Sequence, residues 1–191
     1  MLDPASVRFR AACPDDARAI AGLHADSWRR HYRGAYSDAF LDGDVTGYLL
    51  RVWAGRMGTP DPRGRTILAE CDGQVVGLAH TLLDADPTWG ALLDNLHVAH
   101  GLKRHGIGTR LLALTRRAVQ DGSPSSGLYL WVLEQNSAAR AFYTAQGGVC
   151  VERADVPPPG GDPARLAGKP IGLRYAWRPA TVDVTFTSTG V

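Results

Sequence analysis

Cysteine is scarce in this chain, with three among 191 residues, and Cys13, Cys71 and Cys150 stand far apart. An odd, widely spaced set supports neither a disulfide framework nor a zinc site, and no metal is expected; it fits reduced thiols in a cytoplasmic protein. Long apolar runs are missing too. No stretch would span a bilayer, and Met1-Leu2-Asp3-Pro4 has neither the charged nor the apolar region of a signal peptide, so no membrane partner is expected. A net charge of +2 is too small to point to nucleic acid. No Pro/Gly/Ser linker divides the chain. What is plentiful is apolar side chain, 45% of residues, enough for a sizeable core in one domain over residues 1–178.

The densest chemical signal lies between Leu92 and Gly122. An apolar strand, Leu92-Leu93-Asp94-Asn95-Leu96-His97-Val98, runs into the basic turn His100-Gly101-Leu102-Lys103-Arg104-His105-Gly106-Ile107-Gly108. A helix follows, with Ile107, Leu111, Leu114 and Ala118 at helical spacing and Asp121-Gly122 at its end. The first amides of a helix have no internal partner and the dipole is positive there, so a strand feeding a glycine turn into a helix makes an anion site. Gly106 and Gly108 let backbone approach a pyrophosphate, and Lys103, Arg104 and His105 surround it with donors. A Walker loop would need Lys followed by Ser or Thr after its second glycine, where Thr109-Arg110 stand. A dinucleotide fingerprint would need three glycines and an acidic residue ending the next strand, a place only Glu134 approaches. From these residues alone the ligand is a phosphate-bearing cofactor.

A second constellation follows. Gly127-Leu128-Tyr129-Leu130-Trp131-Val132-Leu133 reads as a buried strand, and Asn136-Ser137-Ala138-Ala139-Arg140-Ala141-Phe142-Tyr143 as a short helix capped by Asn136 or Ser137 and closed at Gly147. The two motifs in order, each behind a strand, resemble the GNAT superfamily of acyl-CoA-dependent N-acetyltransferases. The chain offers Lys103-x-x-Gly106-x-Gly108 for that family's pyrophosphate loop and Asn136-x-x-Ala139-x-x-Phe142-Tyr143 for its downstream helix. It departs from the family pattern at Lys103, where Arg or Gln is usual and the planar phosphate fork is lost. His100 stands where Pro is common, Arg104 where Gly is common, and Gly147-Gly148 replaces the frequent Gly-Phe. The resemblance covers roughly residues 7–178.

The remaining pattern alternates. Val7 to Ala11 reads as a strand, Pro14-Asp15-Asp16 opens a helix carrying Ile20, Leu23, His24 and Ser27, and a second helical region runs from about Ser37 through Met57. Thr66 to Ala69 and Gln74 to Leu83 are strands joined by Asp72-Gly73, a hairpin signal, and two more strands fall at Val149 to Ala154 and Ile171 to Trp177. The expected fold is α/β, a GNAT-like central mixed sheet with helices on both faces. Pro157-Pro158-Pro159-Gly160-Gly161-Asp162-Pro163 cannot be regular structure and is either a disordered loop or a lid. The tail at 179–191 alternates like an edge strand, which leaves open a homodimer contact or a frayed end.

The resemblance implies acetyl-CoA as cosubstrate and site roles residue by residue. Backbone of Leu96, His97 and Val98 would hold the pantetheine arm, and the turn from Lys103 through Arg104, His105, Gly106, Ile107, Gly108 and Thr109 the pyrophosphate. Asn136 would stand near the pantetheine and Tyr143 would protonate the departing thiolate. For the base the residues leave alternatives: Asp94, whose burial in an apolar strand would raise its pKa, Glu134, His97, or water. Each has a plain structural reading as a hydrogen-bonded polar group, as Tyr143 has one as a core aromatic. Trp28, Tyr32 and Tyr36, with Arg29 and Arg33, sit where acceptor recognition would fall or simply pack. Two functions stay open: acetyl transfer to a primary amine of a small molecule, a protein N-terminus or a lysine, and a CoA-binding sensor with little turnover.

Overall fold

The computed structural model describes residues 6–123 and 127–178. Strands β1 (Arg8–Ala11), β2 (Gly64–Cys71), β3 (Gln74–Asp86), β4 (Gly90–Val98), β5 (Leu128–Leu133), β6 (Val149–Asp155) and β7 (Ile171–Trp177) alternate with helices α1 (Ala17–His31), α2 (Asp38–Asp42), α3 (Val45–Gly58), α4 (Ile107–Gly122) and α5 (Ser137–Ala145). They build one sheet in the order β1-β2-β3-β4-β5-β7-β6. Every neighbouring pair is antiparallel except β4 and β5, which are parallel. This is the expected mixed sheet. β3 sits inside it and is buried on both faces through its middle, as a strand covered twice should be. Leu78 joins Ile20, Leu49 and Trp53 under α1 and α3, while Val76 and Ala79 join Leu111, Leu112 and Val119 of α4 on the other face.

Three local expectations change. The helical region from Ser37 is two helices, because the chain turns at Gly43 and Asp44 caps α3, its Oδ1 accepting from Gly47 N at 2.9 Å. The buried stripe of α4 is Ile107, Leu111, Leu112, Thr115 and Val119; it is rotated from the one expected, since Leu114 is half-buried and Ala118 also. The segment at 157–163 is not a disordered loop: Pro159–Gly161 and Pro163–Arg165 form two short 3₁₀ turns. They dock on the α1–α2 connection, where Ser37 N donates to Arg165 O at 2.9 Å and Ala167 N to Ala35 O at 2.9 Å. The Arg165 guanidinium lies over the rings of Tyr48 and Phe40, at 4.6 and 5.0 Å. At the hairpin, Asp72 and Gly73 both take positive φ, 49° and 74°, as a two-residue primed turn requires. The tail at 179–191 lies outside the described residues. Among those described, no helix is long and apolar enough to cross a membrane.

The feature that positions the site is how β4 and β5 meet. They pair only at Ala91 with Leu128 and Leu92 with Tyr129. Just before this contact Gly90 has φ +83°, and a Cβ there would stand 2.4 Å from Gly127 O. Just after it, Leu93 pairs with Thr81 and Asn95 with His80, so Asp94 is an extra residue in β4. Such a bulge bends its strand. β4 and β5 thus touch at one end and part at the other, leaving a cleft in the middle of the sheet.

Gly90→Ala would push a methyl group into the Gly127 backbone at a positive φ. We expect it to cost about 2–4 kcal/mol as a fall in urea midpoint. Gly55→Ala, whose Cβ meets nothing within 4 Å on α3, should be neutral or stabilise by up to about 1 kcal/mol.

Candidate active site

The chain leaves β4 through a 3₁₀ turn at His100–Leu102, anchored by buried Leu102. Arg104 and Gly106 then take φ of 67° and 79°, and the chain enters α4 with Gly106 as its N-cap and no side-chain cap. The first helical bond is Arg110 N to Gly106 O at 2.9 Å. The amides of Ile107, Gly108 and Thr109 therefore precede any intrahelical partner and point out of the helix end. His105 Nδ1 lies 2.9 Å from Lys103 O, which folds the imidazole back on the turn. Lys103 reaches elsewhere: its Nζ is 2.7 Å from His31 Nε2 on α1 and donates to it. Burial and the nearby Arg30 lower the Lys103 pKa. A Cβ on Gly108 would touch Phe142 at 3.5 Å and Val98 at 3.8 Å, so the turn, the end of β4 and the second motif's helix converge.

On α5, Asn136 is the N-cap, its Oδ1 accepting from Ala139 N at 3.2 Å. It also lines a cavity of about 360 Å³ between α1 and the β5–α5 turn, with Arg30, His31, Arg33, Gln135 and Ser137. Gln135 Nε2 closes the back of this space by donating to Arg33 O at 2.7 Å. Arg30 and His31 escaped the sequence reading. Their only signal was a basic last turn of α1, and nothing in spacing ties that turn to one beyond β5.

Tyr143 is buried. Its ring packs edge-on to Phe142 and Trp177 and tilted against Tyr175, with centroids 5.3, 6.2 and 6.1 Å away. Burial, and secondarily Tyr32, pushes its phenol well above the ordinary range, so it stays protonated at neutral pH. Asp94 is exposed on the bulge of β4. Its Oδ2 lies 2.8 Å from Arg56 Nη2 and accepts from Asn95 Nδ2 at 2.7 Å. The burial expected for Asp94 is absent because the bulge turns it outward to Arg56. Its charge still acts on Tyr32, whose phenol is pushed up to about 12 first by burial and then by Asp94.

Glu134 faces β6 instead, bonded by Arg153 at 3.1 and 3.2 Å. That guanidinium lowers its pKa, which disfavours it as a base. Trp28 and Tyr36 are core residues, buried in a ring cluster with Phe40 and Tyr48; Tyr32 alone of the three expected acceptor aromatics is half-buried. Leu96, His97 and Val98 are half-buried along the parted edge of β4. His97 turns to α1, its Nδ1 2.9 Å from Ser27 Oγ and its ring 4.4 Å from that of His24.

A model of the acetyltransferase (GNAT) family matches residues 9–147. The chain belongs to that family. The "probable N-acetyltransferase Rv2775" of Mycobacterium tuberculosis is 32% identical over 142 residues, which are 74% of this chain and 79% of that protein. Among solved structures, PaiA N-acetyltransferase from Thermoplasma acidophilum in complex with coenzyme A superposes with a TM-score of 0.64 at 19% identity, over 90% of this chain and 99% of that one. Arabidopsis thaliana NAA60, in complex with a bisubstrate analogue, gives 0.64 at 16% identity, over 90% and 97%. At such identities the structures speak for the fold alone. Family membership makes the chain a transferase, with acetyl-CoA as its cosubstrate.

Three histidines of this GNAT chain are held neutral around the cleft. His24 Nδ1 accepts from Trp53 Nε1 at 3.1 Å, which leaves the ring proton on Nε2. Thr66 Oγ1 meets His80 Nδ1 at 2.8 Å. Desolvation is the leading cause in each case: it lowers His80 and His97 to about 4 and His24 well below its usual value. Unfolding returns them to about 6.5, so in between the unfolded chain binds more protons. Their contribution to stability is complete above about 6.5 and is lost as pH falls toward 4. The Asp16 carboxyl, held at about 2 chiefly by Arg10, is lost only below about 4. Urea midpoints should be flat from pH 8 to 7, then fall through pH 6 and 5 with uptake of more than one proton per unfolding event. A midpoint unchanged down to pH 5 would contradict the neutral assignment.

Proposed function

We propose that the chain transfers the acetyl group of acetyl-CoA directly to a primary amine. The observation that carries this reading is the parting of β4 and β5 beside the open amides of α4; in this reading the phenol of Tyr143 and the carboxylate of Asp94 serve that cleft. In this reading the pyrophosphate rests on the amides of Ile107, Gly108 and Thr109, with Lys103, Arg104 and His105 around the turn and Gly106 shaping it. The pantetheine arm lies along β4 and bonds the backbone of Leu96 to Val98, with Asn136 beyond it. The family's usual fork at the phosphate is replaced by a Lys tied to His31, which shifts the burden onto backbone donors.

The chemistry then needs one bond made and one broken. The neutral amine attacks the thioester carbonyl, the C–N bond forms and the C–S bond breaks. The departing thiolate takes the proton that Tyr143 still carries at neutral pH, and solvent returns a proton to the phenolate as product leaves. The amine's proton goes to Asp94, directly or through water. Glu134, engaged by Arg153, has no part in it. Trp28 and Tyr36 shape the acceptor side from within the core, and Tyr32 faces the cleft. The acceptor classes open from the sequence, a small amine, a protein N-terminus and a lysine, all meet this chemistry.

Two measurements test the reading. Tyr143→Phe keeps the ring packing, so CoA affinity should hold while kcat falls about 10²-fold or more; wild-type turnover would return Tyr143 to the core alone. Gly108→Ala places a methyl in ordinary contact with Phe142 and Val98 in the free protein, yet at the donor's path. Calorimetry should show CoA bound at least about tenfold more weakly, with an unchanged thermal midpoint. An unchanged affinity would remove the pyrophosphate assignment. Absence of thiol release from acetyl-CoA with any amine, CoA being bound, would favour a sensor without turnover.

A further inference from the structure

A cavity of about 260 Å³ at the C-terminal end of α3 has no role in the scheme above. It is lined by Arg56, Thr59, Asp61, Thr66, His80 and Leu82, among others. It lies on the α3 face of the sheet, where Arg56 meets Asp94, and His80 pairs in register with Asn95, the residue after Asp94. Arg56 therefore belongs both to the cavity wall and to the Asp94 ion pair. Its guanidinium stacks on Trp53, 5.0 Å from the ring, which fixes its plane.

The donors facing this space are only partly used. Asp61 is satisfied by Arg63, through backbone N–H at 2.8 Å and guanidinium at 2.9 Å. Thr66 is engaged by His80 Nδ1. His80 is only 5% exposed, and its Nε2 makes no hydrogen bond among the described residues. Arg56 spends one amino group on Asp94, while a guanidinium carries five N–H donors in a fixed fork. The spare Arg56 donors, on a side chain 34% exposed, are open to an acceptor that enters the cavity. Its size is below the ~300–1,000 Å³ of pockets for drug-sized ligands, which suits a small group.

We propose that this cavity seats a carboxylate carried by the acceptor, and that the acceptor is a small amino acid. The proposal rests on the amine-transferase reading above. The ammonium of such a zwitterion meets Asp94 and its carboxylate meets Arg56, with His80 beside it in the cavity wall. The Asp94–Arg56 pair, 2.8 Å apart, is thus the charge complement of an α-amino acid, whose two ionic groups are also a short span apart. An amine without the carboxylate makes no ionic contact with Arg56, and sites built to hydrogen-bond a group discriminate strongly against its absence.

The test takes the full chain and the standard L-amino acids, each against its methyl ester and its decarboxylated amine. Binding is read by calorimetry and turnover by thiol release from acetyl-CoA. At least one amino acid should bind about tenfold or more tightly than its ester and its amine. Arg56→Gln should bring that amino acid down to the level of its ester, and Arg56→Lys should recover part of the difference, thermal unfolding confirming that both variants fold. Equal binding of acid and ester, or an equal loss for both in Arg56→Gln, overturns the proposal. If amines are acetylated without that preference, the carboxylate seat falls and the transferase reading stands. If an amino acid binds through Arg56 but is never acetylated, the seat stands and the transferase reading loses its acceptor.

Discussion

A contact between two backbones at Gly90 and Gly127 governs the site. It brings β4 and β5 together for two residue pairs, and the extra residue at Asp94 then swings β4 out of line. If the strands stayed paired to their ends, the edge at Leu96 to Val98 would be consumed by the sheet. If they never met, β5, β7 and β6 would have no fixed place beside the first four strands. The bulge also takes Asp94 out of the alternation, so a carboxylate that would otherwise enter the core faces the cleft.

The two walls beyond the sheet are built by different physics. On the α1 side, rings do the packing: Trp28 touches Tyr32, Tyr36 and Tyr48, and Arg165 lies over Tyr48 and Phe40. Cation–π contacts and backbone bonds from Ser37 and Ala35 make a Pro/Gly-rich connection into a fixed wall. On the α4 side the wall is backbone dipole with basic side chains around it. One wall of the cleft is thus aromatic and the other is polar backbone.

Periodicity and punctuation made most of this legible. Strict alternation, Asp72-Gly73, and glycines at helix ends located the strands and helices, and the two spaced motifs carried the family. Failures cluster where a side chain's environment is set by distant residues. Asp94 lay in an apolar run, and only pairing to β3 reveals that it is the odd residue out. Glu134 and Asp94 read alike, each a candidate base or a hydrogen-bonded polar group, until Arg153 and Arg56 arrive from other elements. Composition also predicted irregularity at 157–163, yet could not show that Arg165 would find two rings on α2 and α3. His31 and Arg30 showed only a basic helix end, because the cavity that unites them with Asn136 joins segments roughly a hundred residues apart in sequence.

The parted edge of β4 has a thermodynamic meaning of its own. Past Leu92, that edge of β4 has no strand paired to it among the described residues, while its other edge stays bonded to β3. A bound donor stretched along it would act as the missing strand, supplying acceptors and donors that no part of the chain provides. Occupancy then completes the architecture as well as loading the site. Free energy of binding would then become free energy of folding, because a ligand seated along that edge would complete the sheet.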